Sequence, residues 1–261
     1  MNRINKSFKN KNGSLFVAYL TAGDPDYDTS KALYLELVRQ GVDILEVGIP
    51  FSDPLADGAV IQEASDRSLK SGMTVKKALS LVSELRQKTK IPIVLFTYLN
   101  PVYQYGIEAF ANDAKNAGVD GVLFLDLPPE EAKDIKKTLK KNKLHMIFLI
   151  APTSNEERIK KIVKYASGFI YYVSRTGVTG MQNELSSDIE EKVKAIRSCT
   201  DVPIVVGFGI SKPEHVGTIA QIADGYVVGS ALVNQIKEYS DTDQLIHSMG
   251  EFASSLNSKR L

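Results

Sequence analysis

The sequence predicts an α/β protein, a single-domain (β/α)8 barrel of the TIM type over residues 1–261 with an extra helix at its N-terminus. Three observations predict it. Short, near-continuous apolar runs alternate with amphipathic helical patterns about eight times, as a parallel sheet covered by helices requires. The segments GVDILEV and GVDGVLFL, and likewise IPIVLF and VPIVVG, echo each other as repeated βα units would. The 261 residues are 43% hydrophobic, enough for one large core, and no linker or shift in composition marks a second domain. An open doubly wound sheet shares the alternation, but fewer strands would be its signature.

Taken in order, Ile4 and Phe8 fall four apart in a polar opening, so the chain up to Lys9 reads as a short helix lying outside the core, at one barrel end as a plug. Leu15 to Leu20 is the first strand, and the turn residues Gly23, Asp24 and Pro25 lead into a helix running to Gln40 and closed by Gly41. Val42 to Val47 is the second strand, followed by a helix from Val60 and another after Thr74 with an apolar stripe. Ile91 to Phe96 is the third, followed by TYLNPV and a helix through Phe110 that stops at Gly118.

Gly121 to Glu130 supplies a strand and turn, and the next helix turns Ala132, Ile135 and Leu139 inward with its lysines in solvent. Leu144 to Ile150 follows, then a helix opened by Ser154 with Glu157 as a capping box. The last strands are Gly168 to Val173, Val202 to Gly207 and Asp224 to Gly229, with helices over 188–197, 213–221 and 243–256.

Composition narrows the partners. With 32 basic and 31 acidic residues the net charge is +1, which builds no sustained field for nucleic acid or an anionic membrane. The lone cysteine, Cys199, excludes a disulfide framework, and it falls at the N-terminal barrel face, where it reads as structural. A cytoplasmic setting fits, since no signal-peptide pattern or membrane span is present. His145, His215 and His247 are too scattered for a metal site, and no lysine ends a strand as a Schiff-base aldolase would need.

The chemistry should sit at the C-terminal strand ends. Period-two alternation puts Ile44, Glu46 and Gly48 on one face of the second strand and Leu45, Val47 and Ile49 on the other. Glu46 is thus a carboxyl inside an apolar strand, costly unless paired, neutralised or used. Thr21, Tyr98, Asn100, Asp126, Tyr171, Ser174 and Arg175 also fall near strand ends, where the ordinary role of such groups is to fix loop backbones. Tyr171 and Tyr172 point oppositely, one packing and one facing the site. Glycine turns follow the last three strands in SRTGVTG, GFGIS and VGSA, and Gly209, Gly229 and Ser230 are natural backbone donors to a phosphate.

Together TAGDPD, LEVGIPFSDPLADG, IQEA, YLNPV, SRTGVTG, GFGIS and VGSA, in this order and spacing over nearly the whole chain, resemble the α subunits of tryptophan synthase. The departures are Ala59, where many members have proline, and Ala18-Tyr19 for a frequent proline-aromatic pair. The resemblance implies a lyase that splits indole-3-glycerol phosphate into indole and glyceraldehyde 3-phosphate by a retro-aldol step. It implies Glu46 as the acid-base and Asp57 as the carboxylate on the indole N–H. It places Tyr19, Tyr98, Tyr171, Thr179, Gly180, Gly209, Gly229 and Ser230 against the substrate, with Thr179 in a lid. It puts Pro50 and Asp53 against a β subunit in an α2β2 heterotetramer. It implies no cofactor in this chain, pyridoxal phosphate belonging to the β subunit. A stand-alone lyase releasing free indole, or a non-catalytic phosphate-binding subunit, are the competing readings.

Overall fold

The computed structural model describes residues 2–174, 182–207, 209–239 and 241–258. Eight parallel strands close into a barrel in chain order: β1 (Leu15–Thr21), β2 (Ile44–Gly48), β3 (Ile93–Thr97), β4 (Gly121–Phe124), β5 (His145–Ile150), β6 (Ile170–Val173), β7 (Ile204–Gly207) and β8 (Gly225–Val228). Closure comes from β1 pairing with both β2 and β8. The open-sheet alternative is thereby excluded.

Around the barrel lie α1 (Arg3–Lys9), α2 (Tyr27–Arg39), α3 (Ala59–Lys70), α4 (Val75–Lys88), α5 (Leu99–Tyr105) and α6 (Ile107–Ala117). The second half carries α7 (Lys133–Lys141), α8 (Glu156–Tyr165), α9 (Gln182–Arg197), α10 (Pro213–Ala220), α11 (Ser230–Glu238) and α12 (Thr242–Asn257). Among the described residues, no helix is long and apolar enough to cross a membrane.

Alternation along each strand divides the apolar residues into two packed sets. Inward residues such as Val17, Ile44, Val94, Ile147 and Val205 fill the barrel, and Ile4 and Phe8 of α1 close it from below. Phe8 meets Phe169 with ring centroids 5.9 Å apart, so the opening helix plugs the barrel, and its buried Ile4 and Phe8 make it part of the core, not an element outside it. Outward residues, among them Leu45 and Val47, pack beneath the helices.

The sequence echoes have a physical cause at the N-terminal face. Asp43, Asp120 and Asp224 each precede a strand, and each carboxylate accepts an N–H at or near the start of the neighbouring strand. Their donors are Phe16 N at 2.9 Å, Ile93 N at 3.0 Å and Ile204 N at 2.9 Å. A strand's first N–H at a barrel rim lacks a ladder partner, and a charged acceptor satisfies it. The repeated aspartate is therefore a strand cap.

Two local details go beyond the sequence pattern. Within TYLNPV a further helix begins, Leu99–Tyr105. Pro101 falls in the first turn, where its missing N–H costs nothing, and Asp126 accepts Leu99 N at 2.8 Å. The cap of α8 is Asn155, whose side chain accepts Arg158 N at 2.9 Å. Ser154 instead turns back to accept Ala151 N at 3.2 Å, so the cap shifts by one residue and the capping box with Glu157 is not formed.

Candidate active site

Glu46 sits in the middle of β2 on the inward face, between Tyr19 of β1 and Val94 of β3 in register. It is 0% exposed, and neither carboxyl oxygen has a hydrogen-bond partner among the described residues. Burial alone pushes its pKa up to about 8, because desolvation penalises the charged form and no cation or donor offsets it. A carboxyl that titrates just above neutrality can both give and take a proton at working pH.

Two tyrosines wall this carboxyl, each lying over a glycine. A β-carbon on Gly48 would run into the Tyr19 hydroxyl, and one on Gly207 would lie 2.7 Å from the Tyr171 ring. Glycine is thus required by the close approach of an aromatic ring. The Tyr19 hydroxyl lies 3.3 Å from Thr21 Oγ1, and its ring meets Phe96 edge-on at 4.9 Å. Burial, with Asp57 and Glu46 adding negative charge, raises the Tyr19 pKa, and burial does the same for Tyr171. Both hydroxyls therefore stay protonated. Tyr172 packs outward in the helix layer, so the two adjacent tyrosines divide as alternation predicts.

Asp57 comes from the loop between β2 and α3 and is half-buried. The Tyr98 hydroxyl donates to its Oδ2 at 3.1 Å and accepts Ala56 N at 2.9 Å. Gln62 Nε2 donates to the Asp57 carbonyl at 2.8 Å. Burial raises the Asp57 pKa to about 6, with the Tyr98 bond pulling the other way, so the group is charged at neutral pH. The loop residues ahead of it face outward: Asp53 is exposed and Leu55 is 93% exposed, whereas Pro50 is buried in the chain.

At the last strands, Gly209 has φ +52, a left-handed value that favours glycine. Gly229 is the N-cap of α11, no side chain caps that helix, and Ser230 is its first residue. The first N–H groups and the dipole of α11 are thus free to meet an anion at the barrel mouth. Arg175, Thr179 and Gly180 lie outside the described residues.

Sequence reasoning missed two partnerships. Tyr98 reaches Asp57 across 41 residues, and Arg67 grips Asp24 through Nε at 2.7 Å and Nη2 at 2.8 Å across 43. Neither leaves a local pattern. Ser68 and Ser71 add bonds to the Ala22 and Gly23 carbonyls, so α3, which starts just after Asp57, is fastened to the loop after β1. Among the described residues no cluster of histidine, cysteine or carboxylate side chains could hold a metal.

A closed eight-stranded barrel whose mouth holds one desolvated carboxyl, one charged carboxylate and an uncapped helix N-terminus defines a barrel enzyme suited to acid-base work on an anionic substrate. Over residues 6–259 the chain matches the model of a family described as tryptophan synthase alpha chain. It is 49% identical over 259 residues to the tryptophan synthase alpha chain of Geotalea uraniireducens, covering 98% of this chain and 97% of the relative. It is 51% identical over 241 residues to that of Opitutus terrae, covering 91% of each. The crystal structure of tryptophan synthase subunit alpha from Legionella pneumophila superimposes with a TM-score of 0.91 at 37% identity, over 99% of this chain and 98% of that one. The chain belongs to the tryptophan synthase alpha chain family.

Proposed function

We propose that this chain is a carbon–carbon lyase, the α subunit of a tryptophan synthase, that cleaves indole-3-glycerol phosphate into indole and glyceraldehyde 3-phosphate. The observation that carries the reading is Glu46, a fully buried carboxyl with no partner at the mouth of the barrel. The bond between indole C3 and the glycerol chain breaks only when C3 gains a proton and the adjacent hydroxyl loses one. Neutral Glu46 supplies the first proton, and its conjugate base accepts the second as the carbonyl of the aldehyde forms. The carboxyl ends as it began.

Protonated C3 leaves positive charge at the indole nitrogen. Asp57, ionised at neutral pH, accepts the N–H and stabilises that charge more in the transition state than in the substrate. Tyr19, Tyr98 and Tyr171 bound the indole space, while Gly209, Gly229 and Ser230 hold the phosphate and keep the reacting carbon in register. Thr179 and Gly180 are assigned to the same substrate contacts by family resemblance alone.

The partner is a tryptophan synthase β subunit carrying pyridoxal phosphate, in an α2β2 assembly that receives the indole. Asp53 stands beside Leu55 on the exposed loop, and Leu55 with Tyr103, 66% exposed, supplies apolar surface for docking. Pro50, buried at the root of that loop, is assigned with Asp53 to the partner interface by family resemblance alone. The test is indole release from indole-3-glycerol phosphate by purified chain, alone and with the β subunit, for wild type and Glu46→Gln. Glu46→Gln should bind substrate and lose cleavage by several orders of magnitude, and near-normal turnover would remove the assignment. Strong stimulation by the β subunit separates this reading from a stand-alone lyase.

A further inference from the structure

At the opposite end of the barrel, the helix-to-strand connections enclose an open cleft of about 1260 Å³. It is bounded by α1, the segment before β1 and the connections entering β2 to β5. Seven basic side chains line it against two acidic ones, in a chain whose net charge is +1. Because the lining is more positive than the whole chain, the remaining surface is net acidic. A recess of one sign with protein walls focuses potential on a small anion, while the acidic surroundings disfavour a long polyanion or an anionic bilayer.

The basic groups divide into two sets. Arg3 and Arg86 pair with Asp120 at 3.1 and 3.0 Å, and Lys11 pairs with Asp224 at 2.6 Å. Arg86 also donates to the carbonyls of Thr89, Ile91 and Gly118, so it braces the connections. The ammonium groups of Lys6, Lys90, Lys115 and Lys143 have no ion-pair or hydrogen-bond partner among the described residues, although all four line one recess. They arrive from four separate segments, which local helix patterning does not explain.

Lys143 adds a backbone observation. Its φ is +62, the left-handed region, and among the described residues no other non-glycine has a positive φ. It is the left-handed cap that ends α7, with Lys143 N donating to the Lys140 carbonyl and Leu144 N to the Leu139 carbonyl, both at 3.0 Å. Its carbonyl accepts Asn2 Nδ2 at 3.2 Å, a bond that ties α1 to the entrance of β5.

We propose that this cleft binds a small oligophosphate anion, with Lys6, Lys90, Lys115 and Lys143 as its donors. Compact ammonium groups suit phosphate oxygens, and their number suits the roughly four negative charges of a triphosphate. The cleft lies away from the mouth, so this site does not depend on the reaction proposed there.

The test is calorimetric titration of the full chain with sodium tripolyphosphate, in excess glycerol phosphate to fill the mouth. A single site that weakens with added salt is expected. Lys90→Ala/Lys115→Ala should weaken it about tenfold with indole release unchanged. Lys143→Gly, which suits the backbone and removes one charge without a folding penalty, should weaken it severalfold. Absence of binding, affinity unchanged in both variants, or binding abolished by glycerol phosphate would each overturn the site.

Discussion

Replacing Glu46 by glutamine should shift the stability difference in the variant's favour as pH rises. Burial lifts this carboxyl from its ordinary 4.5 to about 8. Between those values the unfolded chain has released the proton and the folded chain still holds it, so the unfolded state binds fewer protons and stability falls as pH rises. The stabilising preference is fully present below 4.5 and is lost through the folded value near 8. That loss amounts to roughly 3 kcal/mol by pH 7 and about 5 kcal/mol by pH 9.

Glutamine does not titrate, so it escapes the loss. Its buried amide has its own desolvation cost, but that cost is the same at every pH and cancels when the stability gap is followed across the range. Urea unfolding of both proteins from pH 5 to pH 9, extrapolated to water, measures the gap. It should widen by about 2 to 4 kcal/mol while cleavage is lost. A gap constant within about 0.5 kcal/mol, or one that narrows, would show that Glu46 is ionised or paired in the folded chain, and the acid-base argument would fail.

Three other outcomes follow from the same geometry. The pH profile of kcat/KM should be a bell, rising as Asp57 ionises near 6 and falling as Glu46 loses its proton near 8; a profile flat from 5 to 9 would contradict both assignments. Tyr98→Phe removes a donor from Asp57 and an acceptor from Ala56 N, so kcat should fall about tenfold and the acidic limb should move to higher pH; a limb that stays fixed denies the bond its role. Gly48→Ala drives a methyl into the Tyr19 hydroxyl and should cost about 1 to 3 kcal/mol in urea unfolding with a raised KM, an effect that Tyr19→Phe should partly relieve.

The barrel was legible because its signal is local. A strand of four to seven residues that is apolar on both faces reads the same wherever it sits, and the eight such runs needed no long-range information. Glu46 was legible for the same reason, as the one charge within such a run. What escaped reading was bonding across sequence distance or rivalry between neighbours. Pro101 looks like a breaker until it is placed in a first turn, and Ser154 and Asn155 are equally good caps until one finds its N–H. The echo of GVDILEV in GVDGVLFL shows the aspartates at 43 and 120, but the role of these and of Asp224 as strand caps depends on acceptors and donors 20 to 27 residues apart.

The two carboxyls of the mouth are held in different ways, and the difference bears on regulation. Glu46 is fixed by β2, locked into the ladder on both sides, so only a change in the barrel itself could shift its environment. Asp57 is held through Tyr98 and Gln62, on a loop whose Leu55, two residues away, projects into solvent. A partner that covers Leu55 acts on Asp57 through two peptide bonds and reaches Glu46 only through the barrel wall. Stimulation by a docked β subunit should therefore shift the acidic limb of the rate profile and leave the basic limb near 8. If the limbs move as expected, the barrel sets the proton chemistry and the loop is where binding elsewhere is converted into rate.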